Sequence, residues 1–198
     1  AVDFNPTLAG RSATGLDSDT FVSSDGATYT LHGGAVIQNS GQDEVKSYGA
    51  AGLETTVAPA LITTPMTMFL VGKMDIIDGT VDVFTAARSD AANEPYIGVT
   101  GAGAWTFNAG SNLTVVGVDT TVHLHTARHN GDASSSYEVS GSAKSTGSAG
   151  TENYDYGSLF IGSTLTAAAT GSIARHIIFP SALPDSKVTL LNHFLTPR

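Results

Sequence analysis

Three histidines within seven residues, His123, His125 and His129 in the run HLHTARH, are the densest set of side chains able to do chemistry in this chain. In an extended backbone, side chains two apart point the same way. His123 and His125 therefore share a face, and a hairpin after Arg128 can bring His129 near them. Two or three imidazoles so placed can hold zinc or another transition metal, or hydrogen-bond the hydroxyls of a sugar. No Asp or Glu stands beside them in sequence to complete a catalytic metal set. They are read as polar residues on the open face of a half-buried sheet, holding no metal. Tyr154 and Tyr156, set between Asn153 and Asp155, also share a face of an extended segment. An amphipathic ring there can cover the apolar side of a pyranose. His123, His125, Tyr154 and Tyr156 are thus the candidate ligand-binding residues, and Trp105, between Gly103 and Phe107, reads as core.

The remaining chemistry-bearing residues point to no reaction. Asp75, Asp78 and Asp82 are interrupted by the turn signal Asp78-Gly79 and read as solvated acids. Asp17-Ser18-Asp19 and Asp43-Glu44 lack the spacing of a calcium loop. Gly147-Ser148-Ala149-Gly150 is followed by no Lys-Ser/Thr, so it is no phosphate loop. Asn112-Leu113-Thr114 matches a glycosylation sequon with no secretory context. No Ser-His-Asp set has supporting local context, so no catalytic residue is assigned.

Positioning these residues requires strands. The chain has 198 residues, 22 of them glycine, no cysteine, 9 basic against 18 acidic side chains and a net charge of −9. That charge argues against neutralising nucleic-acid phosphates, and the missing cysteines exclude a disulfide framework or thiol nucleophile. A hydrophobic content of 41% with 14% charged residues is too apolar for a disordered chain. No apolar run reaches the ~18–20 residues of a membrane span, and AVDFNPTLAG is read as carrying no signal peptide.

Thr, Val and aromatic residues recur in short runs broken by Gly, Asn, Asp and Ser, the pattern of many strands joined by turns. Met66–Met74 is apolar on both faces and predicts a central strand. Residues 80–85 and 121–128 alternate, and Asn130-Gly131 marks a hairpin returning through 136–140. Residues 158–162 and 172–179 predict the last strands. Only the end reads as helix, with Val188, Leu191, Phe194 and Leu195 on one face, Pro184 in the first turn and Asp185 or Ser186 as cap. Residues 1–30, polar and turn-rich, read as an arm of loops packed on a single domain spanning 31–198.

The C-terminal elements resemble a known family. Leu159-Phe160-Ile161-Gly162, then Gly171-Ser172-Ile173-Ala174, then Leu183-Pro184-Asp185 before a closing helix, resemble the concanavalin A-like lectin/glucanase sandwiches of laminin-G-like type. Met68-Phe69-Leu70-Val71-Gly72-Lys73 is similar to that family's central strand, and 122–128 with Asn130-Gly131 to its hairpin. The resemblance covers roughly 64–195 in consistent order. It implies an all-β fold, two antiparallel sheets packed as a jelly-roll-like sandwich with one short C-terminal helix.

Many laminin-G-like domains hold calcium in loop carboxylates, so calcium is the one cofactor the resemblance implies. It implies a non-catalytic module that binds glycans or proteins. The carboxylate motif of the sandwich glycosidases, Glu-x-Asp-x-x-Glu, is absent, as are the Arg-x-Glu-x-Arg and Gln-(Ile/Val)-His motifs of the lyases. The alternative, a glycoside hydrolase or polysaccharide lyase, would have to draw on His125, Arg128 and Tyr137. Together with the Ala, Gly, Ser and Thr bias, the resemblance suggests a bacteriophage spike, fibre or decoration protein. Such a protein sits at a virion surface or outside the cell. It pairs with other virion subunits or with its own copies, and it recognises host polysaccharide without entering a membrane.

Overall fold

The computed structural model describes residues 63–75, 77, 95–131, 134–140, 142–153 and 171–197 in full, and the backbone of further strands between 2 and 161. In chain order the early strands are β1 (Val2–Phe4), β2 (Thr20–Val22), β3 (Thr28–His32), β4 (Val36–Asn39), β5 (Asp43–Ser47) and β6 (Gly52–Thr55). The middle strands are β7 (Met66–Met74), β8 (Asp82–Ala86), β9 (Tyr96–Val99), β10 (Ala104–Asn108) and β11 (Asn112–Val116). The last are β12 (His123–His129), β13 (Ser135–Val139), β14 (Ser145–Gly147), β15 (Phe160–Ile161) and β16 (Gly171–Phe179), followed by the helix α1 (Asp185–Leu195).

The larger sheet runs β14-β13-β12-β7-β16-β5-β4, with β1 also on β16. The second runs β11-β10-β9-β8-β15, and a small third sheet is β2-β3-β6. All the strand pairs are antiparallel, for instance β12 on β7 and β10 on β11. The fold is the expected all-β sandwich with one C-terminal helix. One reading of the N-terminal part needs correcting. Val2–Phe4 and Thr20–Val22 are strands and not loops, and the polar DEVKS run is β5, paired with both β16 and β4. Pairing overrides composition there, because backbone groups carry the ladder whatever the side chains.

β7 is buried along nearly its whole length, as its two-faced apolar sequence predicts. Inside the sandwich, Trp105 and Phe107 of the second sheet meet His125, His129 and Tyr137 of the first, with ring centroids 4.7 to 6.2 Å apart. On the outer face of the larger sheet, Phe69, Val71, Leu124 and Ile177 form a second apolar cluster closed by Val188 of α1. Leu191 and Leu195 pack on it too, whereas Phe194 is 70% exposed. Phe194 was expected on that face. Val188, Leu191 and Leu195 are spaced i, i+3, i+7 and complete the stripe, and at about 100° per residue Phe194 falls to its side.

One side chain ties the turn before this helix to the sheet. Fully buried Thr67 donates from Oγ1 to the Ser181 carbonyl at 2.9 Å and accepts the Leu183 N–H at 3.0 Å. Thr67→Val would leave both partners without that hydroxyl. The expected cost is about 1–3 kcal/mol in chemical denaturation, a loss that a silent surface substitution would not show.

Candidate functional site

β12 presents two faces of opposite chemistry. His123, His125, Ala127 and His129 alternate with Leu124, Thr126 and Arg128. The histidine face was expected to be open, and it is instead the inner face. His125 and His129 are both 0% exposed, covered by Trp105 and Phe107. A neutral imidazole packs as an aromatic ring once its polar atoms have partners. His125 Nδ1 and Tyr137 Oη share a hydrogen bond of 2.8 Å. His129 Nε2–H donates to the Glu152 carbonyl at 2.7 Å, and its Nδ1 lies 3.3 Å from Ser135 Oγ. Burial pushes His125 down to about 3 and raises Tyr137. It also lowers His129, against the pull of the Glu152 carbonyl.

Of the two candidate ligand residues that are described, His123 stands at the rim, with 15% of its side chain exposed and Nε2 2.8 Å from Asp119 Oδ1. His125 lies sealed beneath it. Tyr154 and Tyr156 lie outside the described residues, as do Asp17 and Asp19. Among the described residues no group of three His, Asp or Glu is placed to hold a metal ion. Asp75 is paired with Lys73 at 3.0 Å. The set His125, Arg128 and Tyr137 does not converge: the first two alternate with Ala127 between Thr126 and Arg128, so the arginine points to the opposite face.

That opposite face holds a concavity. A groove of about 430 Å³ runs between α1 and the outer face of β12 and β13. Its floor is built by register: Thr126 lies across from Glu138, and Arg128 across from Ser136. Lys144 closes the floor, and Asp185, Val188, Thr189 and Asn192 form the helical wall. Two contacts join wall to floor. Thr126 Oγ1 donates to Asn192 Oδ1 at 2.8 Å, and Arg128 Nη2 donates to the Asp185 carboxylate. The Arg128 hydrogen bond and charge, with a smaller contribution from Lys144, hold the Asp185 carboxyl below its usual range. Asp185 or Ser186 was expected to cap the helix. Pro184 is the N-cap residue and no side chain caps it, because the carboxylate reaches back to Arg128.

The groove therefore offers donors and acceptors in balance, two cations against two anions, and no aromatic ring. Its residues were only half legible. The alternation of TVHLHTAR and SSYEV places Thr126, Arg128, Ser136 and Glu138 on one polar face. Nothing local says that a helix 57 residues beyond Arg128 lies against them.

No family model matches the chain, and no curated protein matches it in sequence. Solved structures do match in shape. The binding domain of botulinum neurotoxin DC, solved in complex with rat synaptotagmin II, is 12% identical with a TM-score of 0.66; the match covers 96% of this chain and 51% of that one. The binding domain of botulinum neurotoxin serotype G is 10% identical with a TM-score of 0.64, over 88% and 48%. Trypanosoma rangeli sialidase, in its covalent intermediate with 2,3-difluorosialic acid, is 12% identical with a TM-score of 0.64, over 92% and 32%. The chain thus spans about half the length of the toxin domains and about a third of the sialidase. At these identities the likeness is one of fold, an all-β sandwich.

Proposed function

We propose that this chain is a binding module whose groove beside α1 takes a hydroxyl-rich, uncharged stretch of glycan. The groove itself carries this reading: about 430 Å³, within the range of small-ligand sites, lined by hydrogen-bonding side chains of both polarities held on a strand and a helix. Balanced charge selects no ion, so binding is expected to change little with salt. Without an aromatic platform the affinity of one site is weak, on the order of millimolar, about −4 kcal/mol. Avidity from several copies would then be needed for tight attachment. The concanavalin A-like resemblance and the toxin binding domains among the structural neighbours support a module that attaches to a cell-surface partner. A virion spike, fibre or decoration protein, at the particle surface or outside the cell, is the setting we favour from composition. Its partners there would be other virion subunits or copies of itself.

We take the module to leave glycosidic bonds intact. A glycosidase needs one carboxyl kept protonated as general acid, and Asp185 is held ionised by Arg128.

A panel of neutral and acidic bacterial polysaccharides, titrated by calorimetry, tests both statements. A neutral glycan is expected to bind, with the dissociation constant rising at least about tenfold in Arg128→Ala and in Asn192→Ala, about 1.4 kcal/mol each. Binding that survives both substitutions would move the site elsewhere. New reducing ends or unsaturated sugars would replace the module with an enzyme.

A further inference from the structure

Where residues 117–122 enter β12, the side chains of Asp119, Thr121, His123 and Ser140 form one chain of contacts. Asp119 Oδ1 accepts the Thr121 N–H at 2.7 Å and the Thr121 hydroxyl at 2.6 Å, and lies 2.8 Å from His123 Nε2. The two bonds from Thr121, hydroxyl first, hold the Asp119 carboxyl down to about 2, with His123 adding to them. An ionised carboxylate can only accept, so the His123 Nε2–H donates to Asp119 and Nδ1 is the ring nitrogen left for other groups. Nδ1 faces Ser140 Oγ at 3.5 Å. Ser140 Oγ accepts the Leu124 N–H at 3.2 Å, and its backbone N–H donates to the Leu124 carbonyl at 2.8 Å. The hydroxyl is thereby fixed, with its own proton free to point at the imidazole.

We propose that Ser140 is a nucleophile toward acyl esters, with His123 Nδ1 as its general base and Asp119 as a positioning residue. The arrangement has the logic of a nucleophile, a base and a group that orients the base. It is reached here through Nδ1, since either ring nitrogen can take a proton. A contact of 3.5 Å lies at the long end, and such contacts tighten when substrate fills the site. The edge of Trp105, 6.0 Å away and at 71°, limits the other orientations of the His123 ring. Unlike His125 and His129, His123 reaches solvent, and Asp119 is half exposed.

In the step itself, Ser140 Oγ bonds to the ester carbonyl carbon while its proton passes to His123 Nδ1. The tetrahedral centre collapses by breaking the bond to the alcohol oxygen, which leaves with that proton. Water then attacks the acyl-serine, gives a proton to Nδ1, and releases the carboxylic acid as Ser140 regains its hydrogen. Ser140 follows Glu138 by two residues, about 7 Å along a strand, yet the site stands independently of any ligand in the groove.

A fluorophosphonate probe followed by peptide mass spectrometry reads the nucleophile, and p-nitrophenyl acetate reads turnover. Ser140 is expected to be labelled in the native chain and the label to vanish in Ser140→Ala. Labelling is expected to slow at least about a hundredfold in His123→Gln, at the low end of general-base effects. Asp119→Asn, at an exposed position where the fold is not at stake, is expected to slow it too, with partial recovery in Asp119→Glu. A native Ser140 that stays unlabelled, or that reacts equally fast in Asp119→Asn and His123→Gln, overturns the proposal.

Discussion

Lowering the pH from 7 to 4.5 is expected to remove about 5 kcal/mol of folding stability from this protein, the largest effect of any solution change. The cause is a pair of sealed imidazoles. His125 and His176 are both fully buried, on strands that flank β7 and opposite the same residue, Leu70. Burial, first of all, pushes each down to about 3 from an ordinary 6.5, and nearby His123 adds to it for His125. Below pH 6.5 the unfolded chain takes up protons that the folded chain refuses. Stability is therefore complete above that value and declines as pH falls toward 3, by about 1.4 kcal/mol per unit for each histidine. Two units for two groups give about 5 kcal/mol, comparable with the whole stability of many domains. His129 is shifted the same way and steepens the fall. Urea midpoints at pH 7, 5.5 and 4.5 measure it, and His176→Phe, if folded, should show a slope about half as steep. A midpoint that holds steady across that range would mean that the rings accept protons where they lie.

A single methyl group at Gly150 is expected to do comparable damage. Gly150 sits at φ +101°, and a Cβ there would fall 1.8 Å from the Ala109 carbonyl oxygen and 2.7 Å from Gly110 Cα. Both obstacles are backbone and cannot swing aside. The crossing is also where the chain is stitched together. Ala109 and Ser111 donate to the Ala149 carbonyl at 2.8 and 2.9 Å, and Glu152 donates to the Ala109 carbonyl at 3.1 Å. Glu152 in turn holds His129. Left-handed strain of about 1–2 kcal/mol and three weakened hydrogen bonds at about 1 kcal/mol each put Gly150→Ala at about 4–5 kcal/mol. That is a fall in Tm of roughly 10–20 °C for a chain this size. Gly103→Ala, at φ +71° with nothing within 4 Å of the added Cβ, carries only the strain and is the control. Equal melting temperatures for the two variants would show that the crossing yields.

Alternation and apolar runs were enough to find β7, β12, β13, β16 and the helix, because these encode their own period. They could not say which face of β12 looks inward. The answer depends on Trp105 and Phe107, brought over from another sheet, and so His125 and His129 read as open when they are closed. β5 escaped notice because its pairing with β16 and β4 owes nothing to its own polar side chains. The groove was illegible for a similar reason. Its floor follows from strand register, but its wall is held by distant contacts, Thr67 anchoring the turn at Leu183, 116 residues away, among them. The Asp119–His123–Ser140 chain likewise joins a loop, β12 and the turn after β13. Tyr154 and Tyr156 lie outside the described residues, so their part in any site rests on sequence alone.

Because one wall of the groove is the terminal helix, a ligand that spans both walls works as a clasp. Whatever it gains by touching Thr189 and Asn192 is added to the free energy holding α1 down, so occupancy and local opening of the helix compete. Amide hydrogens of residues 188–195 should then exchange more slowly as the groove fills, by a factor that itself reports the affinity.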